Sequence, residues 1–80
     1  MKETAHLVIK WINDVGAKST NIEILPETDL IENGVLDSLA ILNLVSFLEE
    51  ECRVVVPVEE FVPENFKTPS TVAAMIARLM

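Results

Sequence analysis

The sequence predicts an all-α fold, a small four-helix bundle built from three main helices and one short helix. Three observations carry that expectation. Apolar residues recur at helical spacing in three separate segments. The prolines and glycines fall between or at the edges of those segments. The one β-branched run, Val54 to Val56, stops at Pro57, and no second strand is available to pair with it.

The first segment places Ala5, Val8, Ile9, Ile12 and Val15 on one face, with Leu7 and Trp11 widening the stripe. A helix is expected from about Glu3 to Val15, with Gly16 as its stop. From Ala17 to Leu36 the pattern is irregular, because Pro26 breaks any helix and Gly34 favours a turn. Ile22, Ile24, Leu25, Leu30, Ile31, Val35 and Leu36 are nevertheless apolar and are expected to pin this stretch onto the helices. A loop of this length in a compact domain is often functional.

The second helix is expected over Ser38–Cys52. Leu42, Val45, Leu48 and Cys52 share a face, broadened by Ile41 and Leu44. Asp37 is placed to cap it, and Leu36 and Ile41 occupy the two positions of a hydrophobic staple. Its last turn carries Glu49, Glu50 and Glu51, at the end where the helix dipole disfavours negative charge. Solvation or a partner surface is the expected reason. Val54, Val55 and Val56 read as an extended connection packing inward. Val58–Phe61 and Pro63–Phe66 read as short helical turns. Thr68 and Pro69 suit the cap and first position of a last helix that buries Val72, Met75, Ile76 and Leu79, with Arg78 at its favourable end.

Eighty residues are expected to form a single domain, 1–80. Cys52 is the lone cysteine, so no internal disulfide forms, and no Cys/His spacing suggests a metal site. That cysteine usage, and the lack of a signal-peptide pattern or transmembrane-length apolar run, point to a cytoplasmic protein without membrane insertion. Between Glu23 and Glu64 lie eleven acids and one base, Arg53, within a net charge of −7. Such a surface repels nucleic acid and anionic membranes and attracts basic protein partners. The plain alternative is that the acids keep a small apolar domain soluble.

Catalysis is poorly supplied, and no catalytic residue is expected. His6 is the only histidine and is remote in sequence from Ser38 and Cys52. Cys52 falls on an apolar helix face, where a small buried hydrophobe is the usual role. Trp11 and the phenylalanines read as core. What stands out is the run Gly34-Val35-Leu36-Asp37-Ser38-Leu39, in which a glycine turn delivers an Asp-Ser pair to the start of the strongest helix. Serine and aspartate are common at helix starts, so the tripeptide alone says little.

The order of elements says more. A long apolar-studded loop precedes Asp37-Ser38-Leu39. The following helix closes on Glu49-Glu50-Glu51, and a proline, a short acidic turn and a Thr-Pro-started helix follow. From about Glu3 to Leu79 this order resembles the acyl carrier and peptidyl carrier protein family. The resemblance implies an acyl-carrier-protein-like bundle. It also implies that Ser38, flanked by Asp37 and Leu39, receives 4′-phosphopantetheine covalently from coenzyme A. The arm's phosphodiester suits the positive end of a helix, and its thiol would hold an acyl or aminoacyl thioester. The implied partners are a phosphopantetheinyl transferase, a loading ligase or acyltransferase, and a downstream synthase or transferase, with the carrier itself a monomer. The expected docking residues are Leu39, Asn43, Ser46, Glu49 and Glu50, with the acids from Glu49 to Glu60 steering partners.

The sequence departs from fatty-acid carriers, which usually have acids where Ala40 and Asn43 stand here. Gly34–Leu39 and Val62-Pro-Glu-Asn-Phe-Lys67 look more like freestanding carriers of aminoacyl, D-alanyl or polyketide extender units. A specialised polyketide, nonribosomal peptide or aminoacyl transfer pathway is therefore expected. A fatty-acid-synthesis carrier is the alternative, and an arm-less helical adaptor a more distant one. Leu42, Val45, Phe47, Phe61 and Phe66 are the candidates for a cargo pocket. A long chain forced among packed residues would cost on the order of 1–3 kcal/mol, so a small polar or aminoacyl cargo left in solvent is expected.

Overall fold

The computed structural model describes residues 2–16 and 23–80. The chain runs through α1 (Lys2–Trp11), α2 (Ser38–Cys52), two 3₁₀ turns (Val58–Glu60 and Pro63–Phe66) and α3 (Pro69–Leu79). No strand occurs among the described residues. The all-α expectation holds, and the short helix resolves into two turns separated by Phe61 and Val62.

α1 ends earlier than its apolar stripe suggests. Its α-helical winding stops at Trp11, and the chain continues in wider π-type turns over Ile12–Gly16. Ala5, Val8, Trp11 and Ile12 are buried, and α1 packs on α3. Ile22 and the rest of 17–22 lie outside the described residues. Beyond them the loop is tied down as its composition implies. Ile24, Leu30, Val35 and Leu36 enter the core, while Leu25 and Ile31 are exposed. Three hydrogen bonds fasten the loop to the start of α3: Leu30 N donates to Lys67 O (2.6 Å), Ser70 N to Pro26 O (3.0 Å) and Ser70 Oγ to Glu27 Oε2 (2.9 Å). Asp29 Oδ1 accepts from the amides of Ile31 and Glu32 and tightens the next turn. That turn closes at Gly34, whose φ of +72° is a conformation glycine adopts without penalty.

α2 spans the expected residues. Its buried side chains are Leu44, Val45 and Leu48, with Ile41 and Cys52 partly buried beside them. Leu42 departs from the expected buried face and is 53% exposed. At 100° per residue it lies about 160° round the helix from Leu44, so the stripe that enters the core excludes it. The helix ends at Arg53, which adopts a left-handed conformation with φ 56°. Non-glycine residues pay for that conformation sterically. Arg53→Gly is expected to raise unfolding free energy by about 0.5–1 kcal/mol, measured as a higher urea midpoint at unchanged slope.

The valine run is only partly inward. Val54 and Val56 are buried, but Val55 is 79% exposed, because side chains of an extended segment alternate between faces. This connection also accounts for Glu49. Its carboxylate accepts a hydrogen bond from Val56 N at 2.8 Å, so the first of the three acids in the last turn anchors the returning chain. In α3 the Thr68 hydroxyl accepts from Thr71 N, and the Thr71 hydroxyl accepts from Thr68 N, a reciprocal cap. Val72, Met75 and Ile76 are buried as expected; Leu79 packs at the core's edge.

Candidate functional site

Ser38 is the first residue of α2 and is exposed. The residue before it does the capping: Asp37 is extended, and its Oδ1 accepts from Ala40 N at 2.8 Å. Asp37 O accepts from Ile41 N, the first main-chain bond of the helix. The serine hydroxyl is therefore not needed to start the helix, and the positive end of the α2 dipole lies beside it. Asp37→Ala is expected to destabilise the fold by about 1 kcal/mol and Asp37→Asn by much less, read by denaturant titration.

An open groove of about 480 Å³ starts at this serine. Its walls are Leu36, Asp37, Ser38, Ile41 and Leu42 on one side and Phe61, Val62, Pro63 and Phe66 on the other, with Ile31 at one end. Leu36 and Ile41, the staple pair, thus share one wall. Of the residues named for a cargo pocket, Leu42, Phe61 and Phe66 line this groove. Val45 and Phe47 do not: Val45 is in the core, and the Phe47 ring faces Trp11 at 6.4 Å. Phe66 is 1% exposed and forms the floor, with the Phe61 ring 6.1 Å from it. The lining is apolar apart from Asp37 and Ser38 and contains no histidine or lysine. His6 is exposed on α1. A hydroxyl in such a place is reachable by another protein, and the one carboxylate in the groove wall, Asp37, is engaged in capping Ala40 N.

The surface around Ser38 is mixed. Leu39 is 67% exposed, and Asn43, Ser46 and Glu50 are exposed further along α2. Glu49 is half-buried and held by Val56. Between Ser38 and Leu48 the helix has no ionisable side chain. Glu50, Glu51 and Glu59 are exposed; Glu60 is ion-paired with Arg78 at 2.8 Å. Reasoning from the sequence missed this pair and the role of Asn65, whose amide nitrogen donates to Glu60 O and Glu60 Oε1 at 2.8 and 2.9 Å. Nothing local in the sequence marks Glu60 and Arg78, 18 residues apart, as partners.

Residues 11–76 match the family described as the phosphopantetheine attachment site. The chain belongs to this carrier family. The group that such carriers bear is 4′-phosphopantetheine, which supplies a thiol for thioester formation. The exposed hydroxyl, helix N-terminus and apolar groove suit a flexible arm with a phosphodiester at its root. Relatives extend the likeness. The carrier is 40% identical over 53 residues to a probable acyl carrier protein, PigG, of a Serratia species, a match covering 66% of this chain and 61% of that protein. The chain therefore spans less than two thirds of that relative. It is 37% identical over 54 residues to a D-alanyl carrier protein of Leuconostoc mesenteroides, covering 68% and 69%. In the crystal structure of a Bradyrhizobium japonicum glycine:[carrier protein] ligase complexed with glycylated carrier protein, one chain matches with a TM-score of 0.68 and 26% identity, over 91% of this carrier and 93% of that chain. No helix among the described residues is long and apolar enough to cross a membrane.

Proposed function

We propose that Ser38 takes the 4′-phosphopantetheine arm and that the protein carries a small aminoacyl or acyl group on it as a thioester, in a specialised biosynthetic or aminoacyl-transfer route. The observation that carries this reading is the exposed Ser38 at the first turn of α2, capped independently by Asp37 and opening onto the groove. An aminoacyl cargo is supported by relatives whose names specify D-alanyl and glycylated carriers. It is supported too by the uncharged first turns of α2, which lack the acids that the fatty-acid type places there. The protein is read as non-catalytic and cytoplasmic. Its partners are a phosphopantetheinyl transferase, an aminoacyl or acyl ligase, and a downstream transferase or synthase. The test is intact-mass measurement after incubation with coenzyme A and a broad-specificity phosphopantetheinyl transferase, followed by loading against a panel of aminoacyl and acyl donors. No mass gain would end the carrier reading.

Docking is assigned to Leu39, Asn43 and Ser46, with Glu49, Glu50 and their acidic neighbours drawing basic partners in. Leu39→Ala is expected to slow modification or loading several-fold while changing stability by less than about 0.5 kcal/mol, since little burial is lost. Unchanged rates in a folded Leu39→Ala protein would move the docking surface elsewhere.

A further inference from the structure

The two walls of the groove are held very differently. The α2 wall is part of a fifteen-residue helix. The opposite wall is built on the short segment between Pro57 and Pro63, whose Val58 and Val62 are exposed and whose 3₁₀ turn buries no side chain. Phe61 rests on Phe66, and Val56 before the segment is fixed by Glu49. Besides the main-chain bond from Asn65 N to Val62 O at 3.0 Å, the side-chain restraint on the segment converges on Glu60. Its carbonyl and carboxylate both accept from the Asn65 amide, and its carboxylate also accepts from Arg78 on α3 at 2.8 Å. Asn65 is in turn fastened to α3, where Thr71 Oγ1 donates to Asn65 O.

We propose that Glu60, Asn65 and Arg78 form a latch that holds segment 57–63 as a movable wall of the groove. Closed, the latch keeps Phe61 and Val62 at their present distance from Leu42 and fixes the groove's width. Released, it lets the wall swing away from α2 at the cost of the Phe61 contact with Phe66, because the 3₁₀ turn itself buries no side chain. Asn65 and Arg78 are positioning residues: they line no part of the groove and act through Glu60 on Phe61. The bearing of this motion on a tethered group rests on the carrier reading of Ser38; the latch itself does not.

The experiment is amide hydrogen exchange by NMR on the unmodified full chain, comparing wild type with Asn65→Ala, Arg78→Ala and Arg78→Lys. The amides to follow are Phe61 N, bonded to Val58 O, and Val62 N, bonded to Glu60 O. About tenfold faster exchange is expected at these two amides in Asn65→Ala and a smaller increase in Arg78→Ala. Amides of α1 and α2 should exchange at wild-type rates, and Arg78→Lys should restore most of the protection. Acceleration spread equally over the helices would show a merely structural role and overturn the proposal, as would no change at Phe61 and Val62. A second readout uses the arm-loaded protein bearing a short apolar acyl group. Opening the latch should change thioester cleavage by hydroxylamine at least threefold. Altered exchange with unaltered cleavage keeps the latch and refutes its influence on cargo. Failure of the arm to attach bears on Ser38 alone.

Discussion

Replacing Ser38 by alanine is expected to abolish attachment of phosphopantetheine while leaving the fold within about 0.5 kcal/mol of wild type. The structural basis is the separation of duties at the α2 terminus. Asp37 Oδ1 satisfies Ala40 N, and Asp37 O accepts from Ile41 N, so neither starting bond of the helix uses the serine side chain. Alanine is also a better helix former than serine at an exposed position. Intact mass after transferase treatment reads the first half of the prediction, and a urea titration reads the second. Attachment at any other hydroxyl in Ser38→Ala would refute the assignment. An unfolded variant would show that the hydroxyl has a structural task absent from this geometry.

The largest effect on stability is expected at Phe66. The ring is almost wholly buried beneath the groove, next to Phe61 and within the core that gathers residues from all three α-helices and the loop. Phe66→Ala should cost about 3–5 kcal/mol, the sum of lost burial and an incompletely collapsed cavity. A domain of this size has on the order of 4–12 kcal/mol in total, so the variant should be marginal at room temperature. The loss should appear as a midpoint shift in urea followed by circular dichroism. A cost below about 1.5 kcal/mol would mean that the groove floor can close over the gap.

The parts of the fold legible from sequence are those decided by near neighbours. Asp37 and Thr68 cap because their acceptors lie within three residues of the amides they serve. Pro69 opens α3 because its missing N–H is unneeded there. The candidate serine was legible for the same reason: glycine turn, cap and helix start are contiguous. What escaped depends on where the chain returns. The acidic end of α2 looked unexplained until Arg53 reversed the chain and brought Val56 N to Glu49. Composition and spacing put Val55 and Leu42 inward, and both point outward once the actual face is fixed by neighbouring elements. The groove itself joins residues from the loop, α2 and the 3₁₀ turns. Its membership was half legible: Leu42, Phe61 and Phe66 were named, whereas Ile31, Val62 and Pro63 were not. Phe47 was assigned there and instead faces Trp11.

The fastening of the loop to the start of α3 has a consequence for the order in which the protein matures on the ribosome. The bonds from Leu30 to Lys67 and from Ser70 to Pro26 and Glu27 join positions roughly forty residues apart. A nascent chain that has just released α2 already displays Asp37-Ser38-Leu39, but the anchors for the preceding loop have yet to be synthesised. Such non-local closures come late, after their entropy cost can be met by the contacts they complete. The short opening between emergence of the Asp-Ser pair and emergence of Ser70 is therefore the interval in which this end of α2 is least defended against proteases and mispairing. It closes only when the last helix docks.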